Sequence, residues 1–337
     1  MRRRDEGGTV TTLADVAAHA GVSKSTASRA LSRPDLVAPE TVARVRAAAE
    51  TLGFIPNRAA SHLARGRSGI VALVVPTLDN AFFTPIIAGA QDRARESDLQ
   101  LTIAVHRLDD VDGLAEFERL ARQVDGCILV APRGPDDIVR AAGAFGPTVL
   151  VDREIDGMTS IVADTASAFA ELATRLADAG HRGIVYLGGP DGSWQDRQRS
   201  AAIEAAVGER AELTALGPFP ATFAAGVATA DAVIASGATA VVPYATSIGL
   251  GLVFALRARG VASPGEILVS AERLVAEAIG ADDVPAIDVD GDELGREAMA
   301  ALLPMLVTPP SDPTRRRLDV SVHWPPARPA ENALSSR

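Results

Sequence analysis

Two hydrophobic rhythms divide the chain. From Thr12 to about Phe54 apolar residues recur every three or four positions, the period of an amphipathic helix. Thr12-Leu13-Ala14-Asp15 has the form of a capping box and predicts a helix with Leu13, Val16, Ala17 and Ala20 on one face. Gly21 follows the last periodic residue and stops it. Ser23 caps a second helix, Lys24 to Leu31, and Pro39, at a favoured first-turn position, opens a third that runs through Val42, Val45, Ala49 and Leu52 to Gly53. Residues 1–10 are charged and Gly-rich and read as a mobile tail. Residues 56–68 are basic and helix-compatible with little apolar face, so they read as a linker or as a short helix that needs a partner.

After Gly69 the rhythm changes to short apolar runs alternating with amphipathic segments. The pattern predicts strands at 70–75, 99–104, 126–131, 147–151, 160–163, 183–187, 211–216, 239–243, 266–270, 284–289 and 317–323, with helices such as 82–97, 165–179, 196–206, 224–236, 247–259 and 291–303 between them. Strands alternating with helices mean parallel sheets covered on both faces. More than ten strands are too many for one comfortable open sheet, so two are expected. Residues 324–337, with three prolines, are expected to be irregular.

Composition adds little until charge is resolved along the chain. The 337 residues leave room for two or three domains, and no apolar run approaches the ~18 residues of a membrane span. One cysteine, Cys127, excludes a disulfide framework and any Cys-based zinc site. The N-terminal arginines are not followed by an apolar segment of the secretory kind, so a cytoplasmic protein is expected. The net charge of −10 conceals a division: residues 1–68 hold 11 Arg/Lys and 6 Asp/Glu, or +5, leaving 22 basic and 37 acidic residues, or −15, in residues 69–337. A small basic head on an acidic body confines contact with a polyanion to the head.

The first two predicted helices meet at Ala20-Gly21-Val22 and have the form of a helix-turn-helix. Such a turn sets the second helix steeply enough to enter the major groove, about 12 Å wide. Its outward positions would be Lys24, Ser25 and Arg29, with Val22, Ala27, Ala30 and Leu31 packed inward. Arg and Lys suit guanine edges, and Ser25 or Ser28 reaches a base or a phosphate. On the turn pattern alone an ordinary helical hairpin remains the alternative.

Residues 12–31, Thr-Leu-Ala-Asp-Val-Ala-Ala-His-Ala-Gly-Val-Ser-Lys-Ser-Thr-Ala-Ser-Arg-Ala-Leu, continue through Val37, Thr41, Arg44-Val45, Ala48, Leu52-Gly53-Phe54 and Pro56-Asn57. This long, closely spaced signature resembles the lactose-repressor/galactose-repressor (LacI/GalR) family of bacterial transcription regulators, and the resemblance extends to about Val322. It implies an all-α helix-turn-helix DNA-binding head at 11–56 and a hinge helix or linker at 57–68. Beyond these it implies an α/β periplasmic-binding-protein-like body at 69–323, made of two doubly wound parallel-sheet lobes. The expected lobes are about 69–158 with 291–317, and about 159–290 with 318–323, joined by three crossovers.

The resemblance implies a homodimer on a near-palindromic operator in double-stranded DNA, in most of the family as a repressor. Ser23, Lys24, Ser25, Thr26, Ser28 and Arg29 would face the major groove. Asn57, Arg58, Ala60, Leu63 and Arg65 would serve the hinge in the minor groove, with Leu63 as an apolar wedge that unstacks a base step at a cost of a few kcal/mol. One departure is Ala38, where the family usually has a serine; a capping hydroxyl worth about 1 kcal/mol is lost.

In the body the matching motifs are Pro76-Thr77-Leu78-Asp79-Asn80-Ala81-Phe82-Phe83, Val151-Asp152-Arg153, Gly180-His181-Arg182 and Gly188-Gly189-Pro190. They imply a small-molecule effector, a sugar or an anionic metabolite, in a cleft at the carboxyl ends of the strands. The expected contacts are Asp79, Phe82, Phe83, Asp152, Arg153, Trp194, Arg199, Phe223, Thr246 and Arg273. By spacing alone Arg199 also fits a solvated helix arginine, and Trp194, Phe82 and Phe223 fit the core as well as a stacked ring. The departures fall where the family's sugar binders place polar contacts: Tyr244-Ala245-Thr246-Ser247 replaces an Asn-Asp strand end, and Ser270-Ala271-Glu272-Arg273 replaces Gly-Phe-Asp or Gly-Tyr-Asp. Arg273 would favour an anionic ligand if it points into the cleft.

No catalytic role, metal or cofactor is expected. The five histidines show no paired ligand spacing, and there is no G-x-S-x-G elbow, Walker motif or G-x-G-x-x-G loop. Two alternatives for the body stay open: a dimerisation scaffold without effector response, and a solute-binding receptor.

Overall fold

A computed structural model describes residues 11–32, 34–54, 67–281, 283–308 and 312–325, and the chain divides into two units, Met1–Gly69 and Ile70–Arg337. The first unit holds α1 (Leu13–His19), α2 (Lys24–Ser32), a 3-10 turn (Pro34–Leu36) and α3 (Pro39–Thr51). The capping box forms as the spacing predicts: the Thr12 hydroxyl accepts from the Asp15 amide at 3.4 Å, and the Asp15 carboxylate accepts from the Thr12 amide at 2.8 Å. Those hydrogen bonds hold the Asp15 carboxyl below its ordinary range. Gly21 takes φ +64°, a left-handed turn residue, and lets the Val22 amide donate back to the Ala17 carbonyl at 3.0 Å. The core between the helices is Val16, Ala17, Ala27, Ala30, Val42, Val45, Ala48 and Ala49; its many alanines leave room only for close packing. Ala38 precedes α3 with no side-chain cap.

The second unit begins with β1 (Ile70–Val75), α4 (Phe83–Glu96), β2 (Gln100–Val105), α5 (Val111–Ala121), β3 (Gly126–Val130), α6 (Asp136–Gly143), β4 (Thr148–Val151) and β5 (Thr159–Ala163). It continues through α7 (Thr165–Asp178), β6 (Gly183–Leu187), α8 (Trp194–Val207), β7 (Glu212–Leu216), α9 (Phe223–Ala235), β8 (Ala240–Pro243), α10 (Thr246–Ala258), β9 (Leu268–Val269), β10 (Ala271–Glu272), α11 (Arg273–Ala278) and β11 (Ala286–Asp288). It closes with α12 (Gly291–Met305), β12 (Arg315–Leu318) and β13 (Ser321–His323).

Continuous apolar runs arise because each parallel sheet is buried on both faces. In β1, Val71, Leu73 and Val75 pack towards α4 and α12, while Ala72 and Val74 pack on the opposite face with Phe117 and Val139. In β6 and β8, Ile184, Tyr186, Ala240 and Val242 face α7 and α8, while Val185, Leu187 and Val241 face α9 and α10. The first lobe is a six-stranded sheet of order β12-β5-β4-β3-β1-β2, and the second a four-stranded sheet of order β7-β6-β8-β9. All pairs in both are parallel. No helix among the described residues is long and apolar enough to cross a membrane.

The sequence expectations need three corrections. Residues 159–163, expected in the second lobe, lie in the first sheet, because β5 pairs with β4 on one side and β12 on the other. The run expected as one strand at 317–323 is two, β12 in the first sheet and β13 antiparallel to β11, with the chain crossing between lobes at Asp319-Val320. There are three sheets among the described residues rather than two. After β9 the chain leaves its sheet at Ser270 and pairs β10 with β11 in a three-stranded sheet, order β10-β11-β13, whose Ile287 packs into the second lobe's core.

Where α4 crosses α12, glycines permit backbone contact: a Cβ on Gly295 would lie 2.0 Å from the Ile86 carbonyl oxygen, and one on Gly89 would lie 1.9 Å from the Asp292 carbonyl oxygen. Gly295→Ala therefore forces the helices apart, at a cost of about 1–3 kcal/mol or more. Helix propensity returns at most about 1 kcal/mol of that. Chemical denaturation should show a lower midpoint for the variant; an unchanged or raised midpoint contradicts the close-packed crossing.

Candidate functional site

On the head, burial of Ala27 and Ala30 turns the opposite face of α2 outward, and Lys24, Ser25, Ser28 and Arg29 are exposed. The Ser23 hydroxyl accepts from the Thr26 amide at 3.1 Å and lies 2.9 Å from the Ser25 hydroxyl and 2.8 Å from that of Thr26. The helix thus begins in a cluster of three hydroxyls beside the positive end of its dipole, a setting suited to phosphate oxygens. Lys24 and Arg29 make no hydrogen bond or ion pair among the described residues, so both cations are available to a ligand. The hinge residues Asn57, Arg58, Ala60, Leu63 and Arg65 lie outside the described residues.

In the body, the carboxyl ends of β1, β3, β4, β6 and β8 converge on a cleft organised around Arg199. Projecting from α8, this residue is only 6% exposed. Its Nε donates to the Thr165 hydroxyl at 2.9 Å and its Nη1 to the Tyr244 carbonyl at 2.9 Å. Its guanidinium carbon lies 4.7 Å from the Phe169 ring centre and 4.8 Å from that of Tyr244, a cation held between two aromatic faces. Two carboxylates share this space. Asp152, buried at φ +55°, accepts from the Ala163 amide at 3.1 Å. Glu272 sets its carboxyl into the cleft from β10, whose amide donates to the Thr246 hydroxyl at 3.2 Å. Burial raises the pKa of both carboxyls, and the nearby Arg199 charge opposes that rise.

The Tyr244 ring partitions the cleft. It packs against Gly189, and its hydroxyl lies 3.1 Å from that of Ser193, whose oxygen caps α8 by accepting from the Asp196 amide at 3.1 Å. The Asp196 carboxylate accepts in turn from the Tyr186 hydroxyl at 2.7 Å and the Gly189 amide at 2.6 Å, pinning the loop after β6. Behind the ring lie two compartments of about 20 Å³ each. One is lined by Phe82, Thr165, Phe169, Arg199, Thr246 and Glu272, the other by Asn80, Phe82, Phe83, Asp152, Arg199 and Glu272. In front of it is a larger cavity of about 160 Å³, lined by Thr77, Asp79, Asn80, Phe83, Arg107, Arg133, Ser193, Thr222 and Tyr244.

Of the sequence candidates, the structure brings Asp79, Phe82, Phe83, Asp152, Arg199 and Thr246 to these compartments. Four fall elsewhere. Arg153 is buried under the loop after β3, donating to the Pro132 carbonyl at 2.6 Å and to Asp136 at 2.5 Å, and it ties that loop down. Trp194 opens α8 half-buried, lining none of the three compartments. Phe223 is 46% exposed on the outer surface, its ring 5.7 Å from that of Phe254. Arg273 is turned away by ion pairs with Glu277 at 2.7 Å and Asp288 at 3.2 Å, and its neighbour Glu272 enters the cleft instead. The spacing did not select Asn80, Arg107, Arg133, Thr165, Tyr244 or Glu272. Their common signal is position: apart from Thr165 in the crossover after β5, each lies within a few residues of the carboxyl end of a strand.

A helical head with an exposed cationic helix, joined in one chain to a two-lobed α/β body around a polar cleft, defines a class of DNA-associated regulators with a ligand-binding fold. Comparison with known proteins agrees. The profile described as bacterial regulatory proteins, lacI family, matches residues 12–57. That of the periplasmic binding proteins and sugar binding domain of LacI family matches residues 68–322. The chain belongs to the LacI family.

Among its relatives is the maltose regulon regulatory protein MalI of Escherichia coli (strain K12), 34% identical over 194 residues, 56% of each chain. The chain spans between 55% and 61% of the length of such curated relatives. A transcriptional regulator CelR–cellobiose complex is similar in structure, with a TM-score of 0.67 at 26% identity over 93% of this chain and 98% of that one. The lac repressor dimer bound to operator and the anti-inducer ONPF shares the fold, with a TM-score of 0.79 at 24% identity over 94% and 98%.

The raised Glu272 pKa has a defined consequence for stability. A carboxyl that holds its proton more tightly when folded favours the folded state below its unfolded pKa, and that contribution is lost as pH rises through the folded value. Glu272→Gln removes the buried charge, so the variant should melt above the wild type at pH 8. The gap should close as pH falls through the raised value into the ordinary carboxylate range. A gap that widens on acidification contradicts the assignment.

Proposed function

We propose that the protein is a homodimeric, sequence-specific DNA-binding transcriptional repressor of the cytoplasm, without catalytic activity, whose cleft takes a small-molecule effector. The observation that carries the reading is the outer face of α2. There Lys24 and Arg29 stand without partners among the described residues, beside the hydroxyls of Ser23, Ser25, Thr26 and Ser28. Lys24 and Arg29 read base edges in the major groove, and the hydroxyls hold phosphates. The −15 charge of residues 69–337 repels DNA and leaves the +5 head as the contact. Two copies place Leu63 and its neighbours Asn57, Arg58, Ala60 and Arg65 at the centre of a near-palindrome.

The dimer is supported by an apolar patch on the second lobe, where Phe223, Val227 and Phe254 are 46%, 37% and 59% exposed. Such a contiguous patch is buried by association. An effector acts through the lobes: a ligand that binds one lobe arrangement more tightly than another shifts the population, and with it the spacing of the two heads. A second reading, a body that dimerises without effector response, draws on the Tyr244 ring filling the space in front of Arg199. Release of operator by a ligand rejects it.

The test is operator selection from random-sequence DNA with the full-length protein, followed by affinity measurements across salt. Log affinity should fall linearly with log salt, by about 0.9 for each phosphate neutralised. Arg29→Ala should cost about 1–3 kcal/mol and relax preference at one base of each half-site. A flat salt response, or an Arg29→Ala protein with unchanged base preference, contradicts the proposed mode of DNA reading.

A further inference from the structure

The wall of the outer cavity carries a feature that a neutral ligand does not need. Arg107, in the loop after β2, and Arg133, in the loop after β3, both line it. Neither makes a hydrogen bond or ion pair among the described residues. Many arginines elsewhere in this acidic body are tied to carboxylates, among them Arg122, Arg175, Arg259, Arg296 and Arg317. The one carboxylate on the cavity wall, Asp79, accepts from the Thr77 hydroxyl at 3.2 Å. Two arginines to one carboxylate leave the cavity wall with a surplus positive charge, which an entering anion neutralises. Arginine is suited to this because its planar fork meets a carboxylate or phosphate with two parallel hydrogen bonds.

We propose that the outer compartment is an anion subsite, and that the effector is a polyol bearing a carboxylate or a phosphate, held between Arg107 and Arg133. This rests on the reading of the cleft as an effector site. The deep side of the cleft sets the orientation. Behind Tyr244 two carboxyls, Asp152 and Glu272, already share the one Arg199 cation, so that side offers an anionic end no free positive charge and leaves hydroxyls to face inward. The volumes agree with the same placement. A compartment of about 20 Å³ holds on the order of one water, whereas the outer cavity, at about 160 Å³, is eight times larger.

The subsite also spans the lobes. A Cβ on Gly192, in the loop after β6, would lie 2.7 Å from the Arg133 carbonyl oxygen, so the loop that carries Arg133 already touches the opposite lobe. An anion on the two arginines, with its hydroxyls on Ser193 and Thr222 across the cleft, contacts both lobes only when they are closed. Its affinity therefore differs between lobe arrangements, as an effector's must.

The experiment is titration calorimetry of the full-length protein at low salt with D-glucose, D-gluconate and D-glucose 6-phosphate, and with the corresponding galactose and ribose series. At least one anionic probe should bind about tenfold or more tightly than its neutral parent, and that preference should shrink with added salt. It should vanish in the Arg107→Gln/Arg133→Gln double variant and persist in Arg119→Gln, an exposed arginine of α5. The carboxylate and phosphate arms identify which anion is used.

Equal affinity for neutral and anionic probes overturns the subsite, as does a preference that survives the double variant. A neutral sugar that binds and releases operator without any anionic preference overturns it while leaving effector control standing. Binding of the anion with no effect on operator affinity supports the subsite and counts against effector control. Silence across all the series, in protein that is folded by circular dichroism, overturns both.

Discussion

A guanidinium taken out of water costs several kcal/mol unless its donors and its charge are met, and meeting Arg199 organises the cleft. Its Nε requires Thr165 at the start of α7, and its Nη1 requires the Tyr244 carbonyl at the end of β8. Its two faces require Phe169 and the Tyr244 ring. Those demands fix the crossover after β5, the end of β8 and the start of α8 relative to one another. Asp152 comes from the first lobe and Glu272 from the small third sheet; both share the space of the same charge, and both would be costlier without it. Tyr244 is the hinge of this arrangement in a chemical sense. Its carbonyl serves Arg199, its ring covers Arg199, and its hydroxyl reaches Ser193 on the loop that faces the first lobe.

Much of this was legible in the chain. Runs such as Val71–Val75 and Ile184–Leu187 read as strands because both faces of a parallel sheet are buried. The capping box at Thr12–Asp15 and the stop at Gly21 depend only on neighbours in sequence. What failed was the part decided by long-range pairing. Nothing in Thr159–Ala163 says which lobe it joins; its pairing with β4 puts it in the first sheet, and its other edge is covered by β12, more than 150 residues later. Likewise the break at Asp319-Val320 is invisible in an apolar pattern that simply continues.

The cleft shows the same boundary between local and distant causes. Arg199 was identified through resemblance, since its spacing fits a solvated helix face as well. Arg273 and Glu272 are adjacent, and which of them enters the cleft depends on Asp288 and Glu277 drawing the arginine outward. Phe223 fits a stacking ring by sequence and is instead at the surface, its ring beside that of Phe254 where α9 and α10 pack together. Arg107 and Arg133 carry no local motif at all. Their significance lies in lining one cavity whose wall has a single carboxylate, Asp79, against their two charges.

The central claim is that occupancy of the Arg199 cleft is coupled to DNA affinity. It is tested most directly by operator affinity of the full-length protein across the concentration of a cleft ligand, in wild type and in Arg199→Ala. The account predicts that ligand changes operator affinity by about 5–150-fold in the wild type, the usual range of allosteric coupling. The variant should still bind operator, and ligand should leave that affinity unchanged. A variant that responds to ligand as the wild type does would contradict the account.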